Sequence, residues 1–359
     1  MISLLVAFFT SFIATLLIIR LAPLHQHLSG DSDLSGPQKF HKKSVPRIGG
    51  VSIALGIFAA IMARMMTNPS ATVELLLLVC SVPVFVIGFT EDLTKKISVK
   101  MRLAFTAVGA LMLTQLLNTS IGRLDIPGLD YLLSFSVIAT LLTIFAITGL
   151  ANAYNIIDGF NGLSSMVGIL TLLGITYIAF TVGDFTIVFL SLIMVGAILG
   201  FFVWNYPRGH IFLGDGGAYL IGFWIAALSV LLVSRHQNIS PWFALLINAY
   251  PIIETLFTIY RRKIHQGKNP GLPDGIHFHT LIYRRILSPN HVASEQQWFD
   301  ANSRTSPYLW TLAGLGIVPA VLWWQSTPIL MCFALLFIVS YVWLYKRIVV
   351  FKTPAWMHP

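Results

Sequence analysis

Five short segments of this 359-residue chain combine carboxylates, amides, imidazoles and cations at spacings that suit phosphate chemistry. Glu91 and Asp92 stand side by side in Gly88-Phe89-Thr90-Glu91-Asp92, followed by Lys95, Lys96, Lys100 and Arg102. Adjacent carboxylates at a helix end repel one another, and a metal cation or nearby Lys lowers that cost. A metal-and-phosphate site and an interfacial ion pair with Lys95 and Lys96 both account for them. Asn152, Asn155 and Asp158 recur every three residues ahead of Gly159, Asn161 and Gly162, which on a helix brings consecutive members to one side. Asp215 lies in Phe212-Leu213-Gly214-Asp215-Gly216-Gly217. There it can cap the following helix, or hold Mg2+, which takes one or two protein carboxylates and completes its shell with water and phosphate oxygens. Capping alone leaves Asn205, Arg208 and His210, just upstream, without a role.

The fifth segment carries His277 and His279, with Arg284 and Arg285 a helical turn or two beyond. In an extended stretch the two histidines face the same way. Among so many cations they suit a diphosphate better than a metal, because His donates hydrogen bonds and Arg grips phosphate with two donors. Near the start of the chain, Lys39, Lys42, Lys43 and Arg47 precede Gly49-Gly50. Such a cluster can hold phosphates or anionic head groups, or simply mark a cytoplasmic loop. Glu254, in Pro251-Ile252-Ile253-Glu254-Thr255, is an ionisable residue inside an apolar run and so a functional candidate.

The elements that must position these residues are membrane spans. The chain is 56% apolar and 10% charged, against roughly 25% charged in soluble domains, which excludes an ordinary soluble enzyme. Eleven apolar runs approach the ~20 residues a transmembrane helix needs: 2–24, 45–66, 73–90, 101–119, 131–150, 162–182, 185–204, 216–234, 241–260, 307–325 and 327–346. No Lys or Arg precedes the first apolar core, so it reads as a true span rather than a cleaved leader. With the N-terminus outside and the C-terminus inside, 20 of the 23 Lys and Arg fall inside, as the positive-inside rule requires. The five segments fall on that same face. The expected fold is therefore all-α: one polytopic domain over 1–359, with a long cytoplasmic loop at 261–306 contributing to the active site. Cys80 and Cys332 lie in apolar runs without a C-x-x-C partner and are expected to be small core residues.

In this order, the segments from Pro37 to Arg285 resemble the polyprenyl-phosphate N-acetylhexosamine-1-phosphate transferase family. Glu91 and Asp92 match its Asp-Asp pair, Asn155 and Asp158 its N-x-x-N-x-x-D-G-x-x-G-L element, and Asp215 the metal-binding Asp of its F-x-G-D-x-G loop. His277 and His279 match its His-rich motif, and Glu254 falls where many members carry Asp before Thr. The resemblance implies a multi-span enzyme that uses Mg2+, with Mn2+ as a substitute, to move a sugar 1-phosphate from a UDP-sugar onto undecaprenyl phosphate with release of UMP. It also implies the bacterial inner membrane with the site at the cytoplasmic face, and no nucleic-acid partner; a homodimer is compatible with it. Three departures from the pattern, Glu91, Asn161 and Thr280, resemble the branch that initiates O-antigen or exopolysaccharide units, sometimes on deoxy sugars, more than the phospho-N-acetylmuramoyl-pentapeptide transferase.

The resemblance implies the following roles. Asp215, with Asp158 or Asp92, holds Mg2+ against the diphosphate. His277, His279, Arg284 and Arg285 close over it, and Asn155, Asn161, Asn205 and Phe212 contact the nucleotide sugar. Glu91, Asp92 and Asp158 are the expected catalytic residues: Glu91 and Asp92 face the lipid phosphate, one of them as acceptor of its proton, and Lys42, Lys43, Arg47 and Lys100 help to bind it. A transporter is the rival from another class, but its polar residues should lie near the bilayer midplane in broken helices, and here only Glu254 with Pro251 suggests that.

Overall fold

A computed structural model of the chain describes residues 2–30, 45–68, 71–267, 274–287 and 295–351. Lys42 and Lys43 lie outside the described residues. In chain order the helices are α1 (Ile2–Arg20), α2 (Ala22–Ser29), α3 (Gly49–Thr67), α4 (Thr72–Thr94), α5 (Val99–Leu116), α6 (Leu129–Leu133), α7 (Ser136–Ile156) and α8 (Leu163–Thr181). They continue with α9 (Phe185–Asn205), α10 (Gly214–Arg235), α11 (Pro241–Ile247), α12 (Ala249–Tyr260), α13 (Phe278–Ile282), α14 (Glu295–Leu322) and α15 (Thr327–Val349). An all-helical architecture follows from the bilayer, where each segment must satisfy its own backbone hydrogen bonds.

Ten of these helices are long and apolar enough to cross a membrane, and α11 with the helix running from Ala249 to Ile264 forms an eleventh, bent by 75°. The span expected at 241–260 is thus a broken one. Pro251 explains the break: it has no N–H to offer the carbonyl of Ile247, and its ring clashes with that carbonyl. Helix α11 ends at Ile247, and Asn248 turns its side-chain amide back to the Ala244 carbonyl, 3.0 Å.

Helix α10 is the centre of the molecule. It is apolar all round, the pattern of a helix enclosed by others, and it packs against α3, α4, α7 and α8. Its first turn carries Asp215, so the innermost helix presents the central acid of the site. The expected loop at 261–306 is partly helical: α14 starts at Glu295, twelve residues before the expected span at 307, with Pro307 and Pro319 accommodated inside it. Cys80 is buried as expected, whereas Cys332 is exposed on α15; an apolar run in a membrane protein has a lipid-facing side as well as a core side.

Candidate active site

The start of α10 is fixed from three directions. Gly214 has φ +74°, and a Cβ there would fall 2.3 Å from the Arg47 carbonyl and 2.6 Å from Asp92 Oδ2, so glycine is required. The segment before α3 pairs with the Phe212–Leu213 backbone: the Phe212 N–H donates to the Pro46 carbonyl, and the N–H groups of Gly49 and Gly50 donate to the carbonyls of Phe212 and Leu213, each at 2.9 Å. From the end of α4, Asp92 Oδ1 accepts from the Asp215 N–H at 2.7 Å, and its Oδ2 from the Gly216 N–H at 2.9 Å. A carboxylate at a helix N-terminus satisfies donors that the helix itself cannot. Asp92 and Asp215 are both buried.

Two arginines close this core. Arg47 Nη2 donates to Asp215 Oδ1 at 2.5 Å, and its Nε lies 3.5 Å from Asp92 Oδ1. Arg102, in the first turn of α5, pairs through Nη1 with the other Asp215 oxygen and lies over the Tyr219 ring, 5.8 Å from its centroid. Tyr219 in turn donates its hydroxyl to Asn152 Oδ1 at 2.8 Å. Arg102 had no role in the sequence reading. Its trace in the sequence is a cation in the first turn of a helix capped by Ser98, where the helix dipole disfavours positive charge.

Asp158 belongs to the same cluster, since the Arg47 guanidinium acts on its carboxyl. It sits in the turn after α7, and among the described residues nothing hydrogen-bonds its side chain. Loss of water pushes the Asp158 carboxyl up to about 7, against the pull of Arg47. The Asn155 side chain, one turn earlier, is half-buried and likewise uncommitted. Among the described residues no three His, Cys, Asp or Glu stand close enough to hold one ion together, which leaves one or two carboxylates per ion, the number Mg2+ usually takes. The donor set suits a hard divalent cation: Asp158 has oxygens that no described residue bonds, and Asp215 carries its carboxylate at the helix start. Asp92 spends both oxygens on backbone amides.

Other expected site residues are tied into the framework. Glu91 Oε2 accepts from the Ile97 N–H at 2.6 Å and shapes the turn into α5, while Lys100 is exposed on that helix. Asn205 accepts from the Gly162 N–H at 2.6 Å and donates to the Ile211 carbonyl at 2.7 Å. Asn161 donates to the Pro207 carbonyl at 3.0 Å, and its own backbone is held by Asn302 and Ser306 of α14. Both amides join loops rather than face open space.

The His-rich segment is held by Glu254. Glu254 Oε1 accepts from the Phe278 N–H and lies 3.1 Å from His277 Nδ1, while Oε2 accepts from the Tyr341 hydroxyl at 2.8 Å. The His277 ring stacks on His279 with centroids 5.2 Å apart. His279 in turn packs on Gly159, where a Cβ would lie 2.8 Å from its Nε2, so α13 meets the Asp158 turn directly. Burial pulls the His279 imidazole down to about 3, with Glu254 opposing and His277 reinforcing the shift. It is therefore neutral, and among the described residues its Nδ1 has no hydrogen-bond partner. Arg285 points elsewhere, donating to the carbonyl of Ile348 at 2.8 Å, with its guanidinium 4.0 Å from the Phe351 ring centroid. Arg284 is exposed.

A membrane helical bundle whose central helix begins in a carboxylate–guanidinium cluster has the charges to bind anionic groups at a bilayer surface. Residues 74–233 match the model of Glycosyl transferase family 4. The chain is 31% identical to the undecaprenyl-phosphate alpha-N-acetylglucosaminyl 1-phosphate transferase of Escherichia coli (strain K12) over 260 residues, 69% of this chain and 67% of the relative. It is 28% identical to the protein of that name in Thermotoga maritima over 256 residues, 71% and 73% of the two chains. It is also 27% identical to a phospho-N-acetylmuramoyl-pentapeptide-transferase of Streptococcus pyogenes serotype M6 over 265 residues, 68% and 77%. The chain belongs to the polyprenyl-phosphate N-acetylhexosamine-1-phosphate transferase family.

Proposed function

We propose that the protein transfers an N-acetylhexosamine 1-phosphate, GlcNAc or a related deoxy sugar, from its UDP derivative to undecaprenyl phosphate, releasing UMP. It does so at the cytoplasmic face of a bacterial inner membrane, with the N-terminus periplasmic, as the first step of an O-antigen or other surface polysaccharide. The observation that carries this reading is the junction of two environments. Asn152, bonded to Tyr219 beside Arg102, also lines a cavity of about 1140 Å³ between α5, α7, α10 and the bent α11–α12 pair. Its walls are mainly apolar, with Leu141, Phe145, Val230, Trp242 and Leu256 among them. A polyprenyl chain suits that lining, and its phosphate would then meet the acid–arginine cluster.

In the reaction an oxygen of the lipid phosphate attacks the β-phosphorus of the UDP-sugar, a new P–O bond forms, and the bond to the UMP oxygen breaks. The lipid phosphate is largely ionised at neutral pH, so its attack needs little help from a base. What opposes the step is repulsion between anions and loss of alignment, which charge neutralisation and positioning overcome. Asp215 and Asp158 would hold Mg2+, which supplies charge neutralisation at the diphosphate. Arg47 and Arg102 supply further positive charge, neutral His279 a hydrogen bond, and Asn155 an uncommitted amide. Asp92 acts by holding Asp215 in place.

Incubating purified protein with undecaprenyl phosphate, Mg2+ and a panel of UDP-sugars tests the donor. One N-acetylhexosamine should yield lipid product and UMP. Product only with the UDP-muramoyl pentapeptide would instead support the pentapeptide-transferase reading that the Streptococcus relative favours.

A further inference from the structure

Arg47 and Arg102 reach one carboxylate from two unrelated elements. Arg47 comes from the segment before α3, where its backbone N–H is pinned to the Ser29 carbonyl at 2.9 Å. Arg102 comes from the first turn of α5. Their guanidiniums take opposite oxygens of Asp215, and Arg47 also faces Asp92. The two guanidiniums balance the carboxylates of Asp92 and Asp215, and Asp158 adds a third carboxyl on which Arg47 acts.

Three features make this set more than a structural ion pair. Among the described residues Arg102 Nε is buried without a hydrogen-bond partner, so its fork has donor capacity left for another acceptor. The Arg47 side chain is 28% exposed, which leaves it room to swing. Charge supplies the third. A divalent cation placed alone on Asp215 would lie against two guanidiniums and leave the set with excess positive charge even with Asp158 counted, at short range in poorly hydrated surroundings. A divalent cation arriving with a diphosphate diester, which carries two negative charges, brings its own counter-charge and removes that excess.

We propose that Arg47 and Arg102 are exchangeable counter-ions. They hold Asp215 in the arrangement seen here and pass to the diphosphate as a divalent cation takes their place, so that cation and nucleotide bind as a unit. This rests on Asp215 being a cation ligand, as in the proposed function. It separates Arg47 from the lipid phosphate, to which the sequence reading assigned it, and gives Arg102 a binding role.

The test is a titration of the purified full-length protein with Mn2+, followed by electron paramagnetic resonance, with and without UMP. In the wild type, UMP should tighten Mn2+ binding about tenfold. In Arg102→Gln, Mn2+ alone should bind more tightly than to the wild type, and the UMP effect should shrink to about twofold. Arg47→Gln, which works from the other side of the carboxylate, should shift both quantities the same way. Arg102→Lys keeps the charge and should resemble the wild type, which separates loss of charge from a folding defect. Equal Mn2+ affinity with and without UMP in the wild type, or an unchanged Mn2+ affinity in both Gln variants, overturns the exchange. Failure of the wild type to bind Mn2+ under either condition removes the cation role of Asp215 itself, and the exchange with it.

Discussion

Asp92 bonds the backbone of Asp215 rather than its side chain, accepting the N–H groups of Asp215 and Gly216 at 2.7 and 2.9 Å. One acid therefore fixes where another stands. Asp92→Asn keeps the shape but offers only one accepting oxygen, so one amide faces an NH2 group. An expected cost of about 1–3 kcal/mol in stability follows from that unsatisfied donor, together with at least a tenfold loss of turnover as Asp215 shifts. Thermal unfolding in detergent and UMP release on the same preparation check both; a wild-type melting temperature in the variant would remove Asp92 as the anchor of α10.

Helices α3 and α4 meet the start of α10 backbone to backbone. A Cβ on Gly50 would lie 2.3 Å from the Gly217 nitrogen, and one on Gly88 would lie 2.7 Å from the Gly216 Cα. Backbone cannot rotate away as a side chain can, so Gly50→Ala and Gly88→Ala should each cost about 1–3 kcal/mol and lower activity. Gly122→Ala, with open space around the added methyl, serves as the control and should behave as wild type in the same melting assay.

Glu254 joins α12 to α13 and α15 through His277, Phe278 and Tyr341. Glu254→Ala strands three buried partners and should cost about 3–5 kcal/mol. Tyr341→Phe removes a single bond and should cost about 1 kcal/mol while raising KM for the nucleotide sugar more than it lowers kcat. A kcat effect without a KM effect would place Glu254 and Tyr341 in the chemistry instead of in positioning the histidines.

The His279 value gives a pH prediction with a definite sign. Its ordinary value is 6.5 and burial lowers it to about 3 in the folded protein. Below about 6.5 the unfolded chain takes up a proton that the folded chain refuses. Stability from this residue is thus full above that pH and lost as pH falls toward 3, at up to about 1.4 kcal/mol per unit. His279→Gln should flatten melting temperature against pH across that window. An unaltered slope would mean that the imidazole is charged in the folded protein.

Length and hydropathy were enough to find the spans, because in a bilayer each segment must be long, apolar and internally hydrogen-bonded. The ninth span was expected as one run at 241–260, with Pro251 beside Glu254 as its only irregular feature, and only packing shows the break at Asn248 and the cavity that the bend lines. Asp92, Asp158 and Asp215 were legible because carboxylates are rare in such a chain. Arg102 was not, because one more cation on a basic face looks like ordinary topology until its partner is known. Asn161, Asn205 and Arg285 show the converse: polar residues beside a site are often spent on the backbone of loops, and spacing alone does not distinguish a donor aimed at a ligand from one aimed at a carbonyl.

The central proposal is that phosphorus travels with the sugar. Purified protein supplied with UDP-N-acetylglucosamine labelled with 32P at the β-phosphate, undecaprenyl phosphate and Mg2+ should move the label into the butanol-extractable lipid, leave unlabelled UMP in the aqueous phase, and fail to do so when Asp215 is replaced by Asn. Label retained in water-soluble UDP while the sugar appears on the lipid, or full transfer by Asp215→Asn, contradicts it.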